Sequence, residues 1–188
     1  MTTRFFRLLA CQLLLLFACA QALAADTVDV VHAHIESTED GYKLAASFAF
    51  DLNHDLEDAL QHGVKLHFTT EIELTRPRWW WVYDEKAVAT RQTLMISYDA
   101  LLRRYNVRAL GSVQQSFPTL DEALLMIRRP SRWVIAPRGA LKPGETYNVS
   151  VRMFMDRAFL EKPLQVNAFN NAGWQLSSGK KYFSYRAE

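Results

Sequence analysis

The sequence predicts a mostly β fold, an antiparallel β-sandwich of immunoglobulin-like type with two short helices. The first observation is a series of segments in which apolar and polar residues alternate, which is typical of half-buried strands. The second is a set of turn-forming clusters between those segments. The third is a Leu-Lys-Pro-Gly turn that starts at Leu141 and is followed by Tyr147 and alternating valines. This pattern is typical of a tyrosine corner, in which the Tyr hydroxyl bonds to backbone just upstream.

The first third of the domain predicts a hairpin and a helix. Residues 27–36 and 42–50 both alternate, and the turn between them ends at Gly41, so we expect two paired strands. The period then changes over residues 53–62, where the apolar side chains lie on one helical stripe. Asn53 is suited to the N-cap of this helix and Gly63 to the position just past its end.

The most regular alternation runs over residues 64–75. The apolar residues of this segment face the core, while Lys65, Glu71 and Glu73 face outward. The strand leads directly into Arg76 and Pro77, and a proline cannot donate to a central ladder. The next segment is therefore expected at a sheet margin, before two further strands over residues 88–98 and 105–109.

The second half of the sequence predicts one helix and several strands. Phe117-Pro118-Thr119 opens the helix, with a capping box between Thr119 and Glu122, and Pro130 ends it. The predicted strands follow at residues 133–135, 147–155, 164–170 and 174–185. Their spacing is typical of an all-β sandwich of about nine strands.

Three consecutive tryptophans lie where the regular strand ends. Neighbouring strand residues point to opposite faces, so Trp79 and Trp81 share one face and Trp80 takes the other. One interpretation is a buried aromatic plug. The other is a partner-binding site, since Trp, Tyr and Arg dominate binding hot spots. The candidate partner-binding residues are Arg76, Arg78, Trp79, Trp80, Trp81 and Tyr83.

The beginning of the chain resembles a secretory signal peptide. Arg4 and Arg7 precede an apolar stretch, and Ala22-Leu23-Ala24 provides a small-x-small cleavage site. We expect residues 1–24 to be removed and residues 25–188 to form one domain in the periplasm. An uncleaved anchor and lipid attachment at Cys19 are the alternatives. No stable membrane insertion is expected after cleavage.

The mature domain would contain no cysteine and no net charge. Cys11 and Cys19 both lie in the leader, so disulfides, thiol nucleophiles and thiolate metal sites are not expected. The chain has 22 basic and 20 acidic residues, and removal of Arg4 and Arg7 balances them. A neutral domain gives no electrostatic reason to expect nucleic acid as a partner.

The remaining motifs that could bind a metal or catalyse a reaction are incomplete or have an ordinary structural explanation. His32 and His34 share a strand face, but a metal site needs a third convergent ligand. Ser177 to Lys180 has Ser-x-x-Lys spacing without the accompanying motifs of the penicillin-interacting enzymes. Glu71 and Glu73 could form a carboxylate pair, although a charged outer strand face explains them as well. We expect no enzyme, no catalytic residues, no metal and no cofactor.

Three motifs resemble the DUF4390 family. They are the run from Glu73 to Trp81, the helix start from Gln115 to Leu124, and the turn from Arg138 to Tyr147. The resemblance covers nearly all of the mature chain. It implies an exported protein of Gram-negative bacteria with no assigned function and no catalytic residues to transfer. It also implies a link to a membrane sensor kinase of the nitrogen-regulation type, beside which family members are often encoded.

Two functional classes follow from the sequence. The first is a non-catalytic interaction domain that meets an envelope protein through residues 76–83 or through an exposed sheet edge. The second is a periplasmic ligand-binding or glycan-binding domain, in which the aromatic segment stacks on cell-wall sugar. A small-molecule ligand is not expected, since it would need an enclosed pocket with convergent polar groups.

Overall fold

The structure is a computed structural model that describes residues 28–77, 85–130 and 133–188. Within these residues the chain forms nine strands, three α-helices and two short 3₁₀ turns. The strands are β1 (Asp29–Thr38), β2 (Gly41–Ala49), β3 (Leu66–Arg76), β4 (Glu85–Asp99), β5 (Arg104–Ala109), β6 (Gln115–Phe117), β7 (Trp133–Ala136), β8 (Thr146–Met155) and β9 (Lys181–Arg186). The helices are α1 (His54–Gln61), α2 (Leu120–Arg128) and α3 (Lys162–Asn170), and the 3₁₀ turns are Arg157–Phe159 and Ala172–Trp174.

Two antiparallel sheets make up the fold. The smaller has the order β1-β2-β7, and the larger has the order β6-β5-β4-β3-β8-β9. The prediction of a mostly β, sandwich-like protein is therefore confirmed, whereas the immunoglobulin-like type is not confirmed by this strand order. The larger sheet is a meander interrupted once, where the chain leaves the sheet after β6 and returns with β8 on the other side of β3.

The core contains side chains from both sheets and from α1 and α2. Both sheets and both of these helices contribute fully buried apolar side chains: Leu44, Leu56, Leu60, Leu66, Ile72, Leu74, Ile96, Leu124, Ile127 and Met153. Burial of each such side chain stabilises the fold by about 1.5–3 kcal/mol. In β3 the buried positions alternate with partly exposed positions on the outer face, as the sequence predicts, except at Thr69, which was expected to face outward and is buried. This alternation fixes which side chains of the larger sheet are available to solvent.

The predicted helix boundaries agree with the caps in the structure. The Asn53 side chain accepts a hydrogen bond from the backbone N–H of Leu56, and Gly63 follows the helix with a φ of 91°. At α2, the Thr119 hydroxyl accepts from the backbone N–H of Glu122 at 3.3 Å. Each cap satisfies a backbone donor that has no partner inside the helix.

Tyr147 forms the hydrogen bond expected of a tyrosine corner. Its hydroxyl accepts from the backbone N–H of Lys142 at 2.9 Å, while the residue itself is 2% exposed. The turn before β8 is thereby attached to the strand that follows it. The hydrogen bond that the sequence predicts for a tyrosine corner is therefore present in the structure.

The prediction of a strand over residues 164–170 is wrong, because this segment belongs to helix α3. Pro163 lies in the first turn, where a helix tolerates proline. The alternation of Leu164, Val166 and Ala168 suggested a strand. In the helix, Leu164 and Ala168 are one turn apart, and Ala168 is fully buried while Val166 is exposed.

The predicted strand over residues 174–185 is correct only in its second part. Trp174 ends a 3₁₀ turn, and the regular strand begins at Lys181. Between them, the Ser178 hydroxyl accepts from the backbone N–H of Met153 at 2.9 Å. A buried side chain thus takes the place of a strand partner, which periodicity in the sequence cannot indicate. The short strand β6, which pairs with β5, was also not predicted.

Candidate functional site

In the sequence, the candidate residues run from the last residue of β3 to the segment that precedes β4. Arg76 is the last residue of β3 and is described by the structure. The other candidates lie outside the described residues: Arg78, Trp79, Trp80, Trp81 and Tyr83. The chain enters this aromatic segment (residues 78–84) after Pro77 and leaves it at Glu85, the first residue of β4.

Two ion pairs connect the strands at this end of the hairpin. Arg76 is paired in register with Glu85, and its guanidinium contacts the Glu85 carboxylate at 2.5 Å. The hydrogen bond that the Arg76 guanidinium donates to Glu85 raises the pKa of Arg76 above its usual value. One step further in, Lys86 Nζ lies 2.6 Å from Glu73 Oε1. These contacts hold the base of the aromatic segment in one register.

β4 is paired on both sides over only part of its length. Leu94 to Asp99 pair with β5, and the same strand pairs with β3 from Ile96 back to Glu85. Among the described residues, no strand pairs with the other side of residues 86–91. We call residues 86–91 the open edge.

The direction of the open-edge backbone groups follows from one hydrogen bond. The carbonyl of Thr93 accepts from the N–H of Leu110 at 3.2 Å, so Thr93 directs its backbone groups toward the β5 side. Backbone direction alternates along an antiparallel strand, and the register stays regular from Thr93 to Val88. Ala89 and Arg91 therefore also direct N–H and C=O away from β3. These groups form the pairing surface of the open edge.

The outer face of the larger sheet carries charged side chains in register. Glu71 lies opposite Arg91 of β4 on one side and Arg152 of β8 on the other. Arg152 donates to Glu71 Oε2, with Nε at 2.8 Å and Nη2 at 2.7 Å. The carboxylates of Glu71 and Glu73 thus belong to ion pairs, in agreement with a charged outer strand face.

Small residues in the next row leave a hollow in this face. Glu73 is flanked in register by Ala89 and Ser150, whereas the row of Glu71 has an arginine on both sides. The resulting central hollow has a volume of about 260 Å³, and Lys86 and Lys180 also line it. Its depth comes from short side chains next to long ones.

A second hollow continues from the first toward β9. This lateral hollow has a volume of about 470 Å³ and shares Glu73, Ser150 and Lys180 with the central hollow. Asn148 and Tyr182 lie on its other side. We call the two hollows together the polar groove. It crosses β4, β3, β8 and β9 on the outer face.

The histidines are spread over several surfaces. The rings of His32 and His34 contact each other edge to face, with centroids 6.0 Å apart, and His34 bonds to Glu36. His67 stacks on Phe159 beside a separate hollow of about 310 Å³, and burial lowers its pKa. In the described part of the chain, no group of three or more His, Cys, Asp or Glu residues is arranged to hold a metal ion.

Ser177 and Ser178 have structural roles in the part of the chain that suggested Ser-x-x-Lys chemistry. The Ser177 carbonyl accepts a hydrogen bond from the N–H of Val28, and the Ser178 hydroxyl accepts one from the N–H of Met153. Ser177 also forms an isolated bridge with Phe154. This segment connects the beginning of the domain to β8.

Sequence reasoning suggested an exposed sheet edge as a binding surface but did not locate it, and it missed the polar groove. One signal was present, because a strand predicted over residues 88–98 was assigned a partner of only five residues, 105–109. A strand that is longer than its partner leaves backbone groups unpaired. The groove left no comparable signal, since it depends on the register of four strands.

No helix in the described ranges combines the length and the apolar character that a bilayer crossing requires. The described residues define a sandwich-like β domain with a polar outer face and an open edge next to an aromatic segment. The chain belongs to the DUF4390 family, a domain of unknown function, whose model matches residues 25–184. Neither a curated protein nor a solved structure matches the chain.

Proposed function

We propose that this protein is an exported, non-catalytic interaction domain of the cell envelope that binds a protein partner at the end of the β3–β4 hairpin. The observation that carries the proposal is the open edge, which continues directly into the aromatic segment. The binding residues are those of the open edge together with Arg76, Arg78, Trp79, Trp80, Trp81 and Tyr83. The compartment is the periplasm, reached through the leader over residues 1–24.

An open strand edge supports this function because it offers hydrogen bonds that only another extended chain fills regularly. Ala89 and Arg91 present backbone donors and acceptors at strand spacing, which an incoming strand of the partner extends. The side chains of Ala87, Ala89 and Thr90 are short and leave room for the added strand. Binding by strand addition requires no pocket and no catalytic group.

The charge of the open edge favours a different protein over a second copy of this chain. Both charged residues within it, Lys86 and Arg91, are cations. Pairing of two identical edges would bring like charges together, which disfavours self-association. An acidic strand from a partner would instead gain favourable cross-strand pairs. The sensor kinase implied by the family resemblance is the first partner to examine.

The aromatic segment supports the same function by its composition. Trp, Tyr and Arg are the residues that carry most of the energy in protein interfaces. Here they directly follow the strand end fixed by the Arg76–Glu85 and Lys86–Glu73 ion pairs. A partner strand paired with the open edge would extend toward Glu85, which follows this segment in the chain, and backbone pairing and side-chain contacts would then act together.

A matched pair of substitutions at Ala89 tests strand addition. Ala89→Pro removes the outward N–H, which lies outside the β3 ladder, whereas Ala89→Ser keeps it. We expect Ala89→Pro to reduce capture of the partner from a periplasmic extract about tenfold, by loss of a hydrogen bond and steric conflict with the added strand. Ala89→Ser should retain capture, and Trp80→Ala should reduce it.

Urea unfolding of each variant serves as the control, because capture is informative only for folded protein. Equal capture by wild type, Ala89→Pro and Trp80→Ala, with all three folded, would exclude the hairpin end as the binding region. Equal loss with Ala89→Pro and Ala89→Ser would exclude backbone pairing at this position.

A further inference from the structure

We propose that the polar groove is a binding site for a carboxylate-bearing saccharide chain. It borders the open edge and shares Lys86, Ala89, Thr90 and Arg91 with it, but it uses outer-face side chains where the partner site uses edge backbone groups. The groove has more cationic than anionic side chains, both donors and acceptors of hydrogen bonds, and an exposed aromatic ring, all on one sheet face. The chemistry that fits this combination is a polyhydroxylated ligand with carboxylate groups, such as a uronate-containing glycan.

The charge balance of the groove selects for an anion. The central hollow is lined by four cations, Lys86, Arg91, Arg152 and Lys180, and by two carboxylates, Glu71 and Glu73. Arg152 binds Glu71, and Lys86 binds Glu73. Within the described residues, Arg91 and Lys180 form no ion pair of their own. An incoming carboxylate would make charge-assisted hydrogen bonds with them.

The neutral groups of the groove suit hydroxyl-rich ligands. Ser150, Tyr182 and Ser184 provide hydroxyls, and Asn148 provides an amide that both donates and accepts. Glu71 and Glu73 provide acceptors for sugar hydroxyls at the base of the groove. The ring of Tyr182 is 69% exposed at the edge of the lateral hollow, where it can lie against the face of a sugar ring.

The same features disfavour other anions. A phosphate dianion would lie close to the carboxylates of Glu71 and Glu73, which repel it more strongly than they repel a single carboxylate. An acidic peptide would gain little from its backbone, because the N–H and C=O groups of a sheet lie in its plane and do not face the groove. A saccharide presents its hydroxyls and carboxylates outward along the whole chain and needs no backbone pairing.

The shape of the groove favours a chain over a single sugar. The two hollows, of about 260 and 470 Å³, share residues and are open to solvent, so a linear ligand can cross all four strands. The ion pairs Arg152–Glu71 and Lys86–Glu73 hold the groove side chains in place before binding. Such preorganisation reduces the entropy lost on association.

The test is calorimetric titration of the exported chain with trigalacturonate, with neutral galactotriose, hexaglutamate and inorganic phosphate as comparison ligands. We expect trigalacturonate to bind and each comparison ligand to bind at least about tenfold more weakly, the cost of one lost charge-assisted contact. Lys180→Gln and Tyr182→Ala should each weaken trigalacturonate about tenfold. Arg108→Gln, which removes an exposed cation from β5 outside the groove, should leave the affinity unchanged.

Several outcomes would overturn the assignment: no binding of trigalacturonate at millimolar concentration, equal binding of galactotriose or hexaglutamate, or equal weakening by Arg108→Gln and Lys180→Gln. Lys180 and Tyr182 are exposed, so both variants should fold, and circular dichroism checks this. Trp80→Ala, which alters the partner site and none of the residues that line the groove, should still bind trigalacturonate, and this result would separate the two sites.

Discussion

The two halves of β4 belong to one strand and differ in almost every other respect. From Leu94 to Asp99 the strand pairs with β5, and from Leu94 to Ile96 it pairs with β3 as well. Leu94 and Ile96 are buried in the core. Over residues 86–91 its one strand partner among the described residues is β3, and Lys86, Ala87, Ala89 and Arg91 are exposed. In the first half, the backbone groups that face β5 are used in pairing within the fold. In the second half, the outward backbone groups of Ala89 and Arg91 have no strand partner among the described residues.

The difference has a simple origin in strand length. β4 has fifteen residues and β5 has six, so β5 covers fewer than half of the positions of β4. Natural proteins usually shorten or cover such an edge, because it is a template for pairing with other chains. Here the long edge leads to the residues with the strongest composition bias for binding. Three stability measurements test how far the two halves differ.

The largest effect is expected beyond the open half, in the aromatic segment. In an extended segment Trp79 and Trp81 would share one face, and truncation of either to Ala should cost roughly 3–5 kcal/mol if that face is inward. Trp80→Ala should change stability by less than about 0.5 kcal/mol, as at exposed sites. Our hypothesis is that Trp80, with Arg78 and Tyr83, faces the partner.

Urea unfolding of the three tryptophan variants makes this measurement. Large and equal losses in all three would assign every ring to packing and remove the aromatic segment from the binding region. Near-native stability of Trp80→Ala together with loss of partner capture is the result that the proposal requires.

The second prediction compares equivalent inner-face positions of the two halves. Ile96 is fully buried between paired strands, so Ile96→Ala should cost about 2–5 kcal/mol. Val88 is only partly buried in the open half, and Val88→Ala should cost about 1 kcal/mol or less. Denaturant midpoints of the two variants give the comparison. Equal costs would mean that both halves are packed alike, contrary to the pairing pattern.

The third prediction concerns the boundary between the halves. Thr69 and Thr93 face each other across β3 and β4, and their buried hydroxyls lie 2.8 Å apart. Thr93→Val leaves the Thr69 hydroxyl without this partner and should cost about 1–3 kcal/mol. The double variant Thr69→Val with Thr93→Val should cost less than the two single changes added together. Additive costs in thermal unfolding would show that the hydroxyls are not coupled.

Much of the fold was determined by local sequence. The period-two segments gave β1 to β5 and β8 to within a few residues, Asn53 and Thr119 located the starts of two helices, and Tyr147 made its predicted contact. These features depend on neighbouring residues, and their physical causes act over one turn or one strand. The third helix was mistaken for a strand because its apolar residues happened to alternate.

The candidate site depended on contacts that no local pattern contains. The sequence by itself marked the aromatic segment through composition and placed it at a sheet margin through Pro77. Tertiary structure decided that β5 ends before it reaches residues 86–91, leaving the open edge. It also decided that Glu71 lies between Arg91 and Arg152, and that Ala89 and Ser150 flank Glu73 to form a hollow. The register between distant strands is set by burial of the whole inner face. Which side chains become neighbours on the outer face therefore depends on how the complete core packs.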